Sequence, residues 1–155
     1  LIGNLVARHT YSTEVKRPAM RGPVDGRSMT NVRREQGSLR KLLLDGRDFG
    51  ECGICNRNLP ESLLWAAHIK RRSECTDEEK LDIPYVAMLM CTLGCDALFE
   101  SGYVTVIGGT VEGIQTEFDD LNREIEGLLG LESSYWSSSR EKYFTWHNRH
   151  TYQGN

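Results

Sequence analysis

Glu51-Cys52-Gly53-Ile54-Cys55-Asn56-Arg57 and Met90-Cys91-Thr92-Leu93-Gly94-Cys95-Asp96, with 35 residues between Cys55 and Cys91, decide how this chain folds. Each is a tight cysteine pair, C-x2-C in the first and the looser C-x3-C in the second, and each contains a glycine that lets the backbone turn sharply. Together they supply the four thiolates of a tetrahedral zinc site. Spacing alone also allows buried structural thiols or a redox pair. The fifth cysteine, Cys75, lies in a charged segment and reads as a free thiol. An odd cysteine count and the absence of a basic-then-apolar leader argue against a secreted disulfide framework, so a cytoplasmic protein is expected.

Working outward, Leu63–Ile69 and Val86–Met90 are short apolar runs that read as buried strands. The segment Lys70–Tyr85 between them is highly charged, contains Pro84 and reads as a loop. After Cys95 the sequence predicts a short helix over Asp96–Ser101, ended by Gly102. Tyr103–Ile107 and Val111–Ile114 then form a hairpin around Gly108-Gly109. Strands this short bury little apolar area, so four metal bonds would hold the second strand and its helix against the first knuckle.

On the N-terminal side, Thr30 is a candidate cap for a helix running to about Asp45, with Leu39, Leu42 and Leu43 on its apolar face and Gly46 at its C-cap. Gly37 inside it costs about 1 kcal/mol of helix propensity. Residues 1–30, with Pro18, Gly22, Pro23 and Gly26, read as a linker or arm. On the C-terminal side, Thr116 with Asp119 and Ser138 with Glu141 resemble capping boxes that open helices over about 116–152. The whole is one mixed α+β domain over residues 31–155 with helices at both ends.

The chain has 155 residues, 39% hydrophobic and 26% charged, enough for one packed domain and too apolar for wholesale disorder. The longest apolar run, Tyr85–Cys91, is about seven residues against the ~18 a spanning helix needs, which argues against a membrane protein. The net charge of −3 is unevenly spread. Nine bases stand against three acids from Lys16 to Arg47, and seven acids against one base from Val111 to Ser134. That asymmetry fits a protein with one phosphate-facing side, and equally a solvated surface of both signs. The chain begins at Leu1 rather than Met, so a segment upstream is expected.

Two features bear on chemistry. Leu64-Trp65-Ala66-Ala67-His68-Ile69-Lys70 ends an apolar run on a histidine, and Asp96 and Glu100 stand at i and i+4 on one helix face beside Cys95. Each alone has an ordinary structural reading. Tyr143, Trp146, His147 and His150 share a helical face. Tyr143 and Trp146 are expected to pack on the core, the alternative being a DNA-facing edge with Arg149. His147 and His150 have a ligand-like spacing, but the four cysteines already suffice for one zinc.

The combination of knuckles, Ala67-His68-Ile69-Lys70, the lead-in Arg33-Arg34-Glu35-Gln36-Gly37-Ser38-Leu39-Arg40 and Gly94-Cys95-Asp96-Ala97-Leu98-Phe99-Glu100-Ser101-Gly102-Tyr103 resembles the HNH, or His-Me finger, endonuclease family. The likeness covers about residues 33–107, and Trp146-His147-x-Arg149 is similar to the tail of the subgroup attached to restriction enzymes. The resemblance implies a zinc-stabilised ββα-metal core over about residues 50–107, flanked by N- and C-terminal helices, and metal-assisted hydrolysis of DNA phosphodiesters.

In that reading His68 matches the general base, and Asp96 and, more weakly, Glu100 are ligands of a catalytic Mg2+ or Mn2+. Cys52, Cys55, Cys91 and Cys95 hold structural Zn2+. Arg33, Arg34, Arg40, Lys70, Arg71 and Arg72 meet the DNA backbone. The chain departs from the family at Ala67, where an aspartate ligand is frequent, and at Tyr85–Val86, where a bracing asparagine is absent. The implied setting is bacterial restriction or phage defence, with modified DNA among the targets, an upstream specificity domain in the same chain and room for a homodimer. The alternatives are a catalytically degenerate zinc-stabilised DNA-binding module and a protein-interaction module.

Overall fold

The computed structural model describes the backbone of residues 27–154 and the side chains of residues 36–154. In chain order the elements are α1 (Arg27–Leu44), β1 (Phe49–Glu51), β2 (Asn58–Pro60), β3 (Leu64–His68), α2 (Asp77–Leu81), α3 (Ile83–Val86), β4 (Ala87–Cys91), α4 (Cys95–Glu100), β5 (Val104–Ile107), β6 (Thr110–Gly113), α5 (Asp119–Glu126) and α6 (Glu141–His150). Among the described residues the architecture is α+β, with three antiparallel strand pairs, β1–β2, β3–β4 and β5–β6.

A two-stranded ribbon is marginal by itself in water, so these pairs depend on what covers them. All five residues of β4 are buried, as an unbroken Ala-Met-Leu-Met-Cys run requires. Helix α1 packs against β3 and β4, α4 against β4 and β5, and α6 against β5. Val86, Met88, Leu89 and Met90 are almost wholly inaccessible, each worth about 1.5–3 kcal/mol of burial. Strand β3 registers Trp65 opposite Met90 and His68 opposite Ala87. A further backbone bond from the Ile69 N–H to the Val86 carbonyl (2.7 Å) carries the pairing past His68.

Several expectations shift. Helix α1 begins at Arg27, so Thr30 lies inside it rather than at its cap. Among its described side chains Leu39 and Leu44 are buried, whereas Leu42 is exposed. The segment after His68 is not a plain loop. Thr76 opens α2 with a reciprocal capping box to Glu79, and Pro84 sits in the first turn of α3, where its missing N–H costs nothing. The Thr116 side chain pairs with Asn122 (2.8 Å) and not with Asp119, and α6 is entered through Arg140 without a side-chain cap. The α4 and β5–β6 expectations hold, and the hairpin turns at Gly108-Gly109, both at positive φ. Residues 1–26, most of the arm expected over 1–30, lie outside the described residues, whereas residues 27–30 belong to α1 and not to an arm. No helix among the described residues is long and apolar enough to cross a membrane.

Candidate functional site: a four-thiol cluster beside a polar cleft

The first knuckle is the turn between β1 and β2. The Cys52 N–H bonds to the Arg57 carbonyl (3.0 Å) and the Asn56 N–H to the Cys52 carbonyl (2.9 Å), while Asn56 takes φ +57 to reverse the chain. Gly53 lies so close to the β4 edge that a Cβ there would meet Tyr135 Cδ2 at 2.9 Å and Met88 Sδ at 3.0 Å. Its N–H donates to the Leu89 carbonyl (2.8 Å), and its carbonyl accepts from Ser133 Oγ (2.6 Å). The knuckle is therefore pinned from both sides. The second knuckle leaves the end of β4 and enters α4 through Gly94 at φ +139, a conformation open to glycine.

These two turns bring the Sγ atoms of Cys52, Cys55, Cys91 and Cys95 within 4.8 Å of one another, and Cys55 and Cys91 stand 3.9 Å apart. Four sulfurs each ~2.3 Å from a tetrahedral ion are about 3.8 Å apart, whereas a disulfide needs about 2.05 Å. The geometry is that of a metal cage. Electrostatics agree. Thiol hydrogens of Cys52 and Cys95 stabilise a thiolate at Cys91 and push its pKa far down, and their own pKa values rise, that of Cys52 to about 11. Without a cation the cluster can carry little negative charge, and a divalent ion lets all four thiols ionise. The cluster can thus hold a structural metal such as zinc. Cys75 is buried outside it, its thiol donating to the Lys70 and Arg71 carbonyls.

Next to the cage, β3, the chain following it, α4 and α6 enclose a cleft of about 380 Å³. His68 at the end of β3 and Asp96 and Glu100 on α4 all line it, together with Arg71, Arg72 and Trp65. Asp96 sits in the first turn of α4, half-buried. Burial first, then the charges of Glu100 and Cys91, push its carboxyl up to about 6. Two carboxylates facing one cleft beside arginines offer oxygen donors to a hard cation. Among the described residues only the four cysteines gather three or more ligand atoms within 4.8 Å, so His68, Asp96 and Glu100 share a cleft without forming a closed cage.

The expected backbone-binding residues are placed differently from one another. Arg71 and Arg72 line the cleft. Lys70 pairs with Glu79 (2.7 Å), and Arg40 pairs with Glu61 (3.2 Å) and donates to the Leu64 carbonyl (3.3 Å). The side chains of Arg33 and Arg34 lie outside the described residues. Ala67 is buried in the cleft wall.

Three residues near these sites carry no assignment from the sequence. Gln36 and Trp65 line the cleft, and Arg57 touches the thiol cluster. Arg57 had a local signal, a cation two positions after a knuckle cysteine. His147 also lines the cleft and is buried, with Tyr143 and Phe144 buried on the same helix, while Trp146 stacks on His150 (4.7 Å between ring centres). No protein-family model matches the chain, and no curated protein matches it.

Proposed function

We propose that this chain is a metal-dependent DNA endonuclease domain of the HNH type, hydrolysing phosphodiester bonds in the cleft beside the cysteine cage. The observation that carries the reading is that His68, Asp96 and Glu100, from a strand end and a helix far apart in sequence, line one cleft with two arginines. The order β3, connecting segment, β4, α4 supports a ββα-metal core, with the cage fixing the helix that bears both carboxylates.

In this reading His68 takes the proton of the water that attacks phosphorus, the role of a general base. Asp96 and Glu100 are the oxygen donors that would hold Mg2+ or Mn2+. Such an ion, when bound, neutralises charge on the scissile phosphate and the departing 3′ oxygen. Arg71 and Arg72 orient the flanking phosphates, which gives affinity without sequence choice. The Ile69–Val86 backbone bond braces the His68 main chain where the family's asparagine is missing. By the resemblance the biological setting is bacterial restriction or phage defence, with target choice supplied by a further domain.

A second reading, a catalytically degenerate zinc-stabilised DNA-binding module, is favoured by Ala67 and by the missing asparagine. Incubating the zinc-loaded protein with supercoiled plasmid in Mg2+ or Mn2+, with an EDTA control, separates the two. Cation-dependent nicking or linearisation supports the endonuclease. Binding without cleavage in either cation supports the module.

A further inference from the structure

We propose that Arg57 is a guard of the cysteine cage, a positioning residue that sets how tightly the metal is held and how readily its thiolates are attacked. The inference rests on zinc occupying the cage and goes beyond the nuclease reading. One edge of the Arg57 guanidinium spans the two knuckles, with Nε 3.2 Å from Cys55 Sγ and Nη2 3.8 Å from Cys91 Sγ. Among the described residues its side-chain partners are these two sulfurs and no carboxylate. A third sulfur, Cys52 Sγ, accepts the Cys91 N–H at 3.3 Å.

The position is fixed by the knuckle itself. The Arg57 carbonyl accepts the Cys52 N–H, the preceding Asn56 adopts the left-handed turn, and Asn56 Nδ2 is tied to the Glu132 carbonyl at 2.8 Å. The side chain therefore leaves the turn on the cage's accessible side. Cys55 is the one cysteine of the four that is not fully buried, and Arg57 donates to it.

Four thiolates around a divalent ion leave a formal charge of −2. A guanidinium in hydrogen-bonding contact offsets part of that charge and occupies sulfur lone pairs that would otherwise face solvent. Lysine supplies the charge but not the two-pronged edge.

The test uses the zinc-loaded protein and its Arg57→Gln and Arg57→Lys variants. Zinc affinity is read by competition with a chromophoric chelator, thiolate reactivity by the rate of zinc release on adding a thiol-alkylating reagent, and sulfur donor strength by the sulfur-to-metal charge-transfer band of the Co2+-substituted protein. Arg57→Gln should hold zinc about 10–100-fold more weakly, the usual scale for losing a hydrogen bond to a metal ligand. It should also release zinc faster and shift the band to lower energy. Arg57→Lys should recover part of the affinity without restoring the band. If Arg57→Gln does not fold, Arg57→Lys decides: weaker zinc binding supports the assignment, and unchanged affinity with an unchanged band overturns it. Zinc affinity within twofold of the parent and an unmoved band in Arg57→Gln overturn it too, as does a loss confined to DNA binding, which would make Arg57 a phosphate contact. A parent protein that takes up no zinc defeats the cage reading itself, a result distinct from any difference among the variants.

Discussion

His147 Nε2 lies 2.9 Å from the carbonyl oxygen of Phe99, and the two rings stack 3.6 Å apart. A carbonyl only accepts, so Nε2 carries the hydrogen and Nδ1 accepts from the Thr105 hydroxyl at 2.9 Å. Through this one buried side chain, α6 holds the end of α4, the helix that carries Asp96 and Glu100, and ties it to β5.

That arrangement predicts acid lability. Burial pushes the His147 pKa from 6.5 down to about 4, with a smaller push from Arg71 and an opposing pull from the Phe99 carbonyl. Between these values the unfolded chain binds the proton and the folded chain does not. Stability is therefore full above about 6.5 and falls as pH drops toward 4. The loss approaches about 3 kcal/mol at the lower end. Urea midpoints measured from pH 7 to 4 should show this decline, and His147→Gln should lack that component of it. An identical pH dependence in parent and variant would contradict the assignment.

The C-terminal end of the same helix predicts a second effect. Gly102 has φ +78, and a Cβ there would collide with the carbonyl oxygen of Thr151. The Gly102 carbonyl also accepts the Gln153 N–H at 3.0 Å, and Gln153 Nε2 donates to the Ser101 carbonyl at 2.7 Å. Gly102→Ala should cost more than the ~1–2 kcal/mol of a left-handed L-residue alone, because the tail must also move. Thermal denaturation at neutral pH reads the loss, and a melting temperature equal to the parent's would count against the close packing of tail and turn.

For the cage, purified protein should contain about one zinc per chain. Binding energies of ~10–16 kcal/mol for structural zinc rival the whole ~5–15 kcal/mol net stability of a domain. A strong chelator should therefore unfold the region around β1–β2 and β4–α4, followed by circular dichroism, and Cys91→Ser should reproduce it. A metal-free preparation with full cooperative folding would refute the cage.

Much of this was legible because it is local. The knuckles, the Gly108-Gly109 hairpin and the α4 helix each declare themselves within a few residues. The Thr76–Glu79 capping box was equally local, but the surrounding charge and Pro84 concealed it. What a linear reading could not supply are partners distant in the chain. Lys70 finds Glu79, Arg40 finds Glu61, and Ser133 reaches back to Gly53. Leu42 and Leu44 differ in exposure only because of how α1 rotates against β3 and β4. The His68–Asp96–Glu100 cleft was anticipated from the resemblance, whereas the contribution of His147 to its wall follows from packing alone.

If the proposed reading holds, DNA affinity should depend on Arg71 and Arg72, which line the cleft. Replacing both by glutamine should weaken binding to every sequence alike. It should also lower the magnitude of the slope of log K against log salt by about 2, near 0.9 for each phosphate no longer neutralised. Filter binding in EDTA from low to moderate salt reads this, and an unchanged slope would remove both residues from the interface.

The central claim, that His68 is the base of a phosphodiester hydrolase, is tested most directly by the Mg2+- or Mn2+-dependent rate of plasmid cleavage by the parent and by His68→Ala, with zinc content and DNA affinity measured on the same samples. The expected result is a rate loss of about 10²–10⁴-fold with both controls unchanged. Cleavage by His68→Ala at the parent rate, or no cleavage by the zinc-loaded parent in either cation, would contradict it.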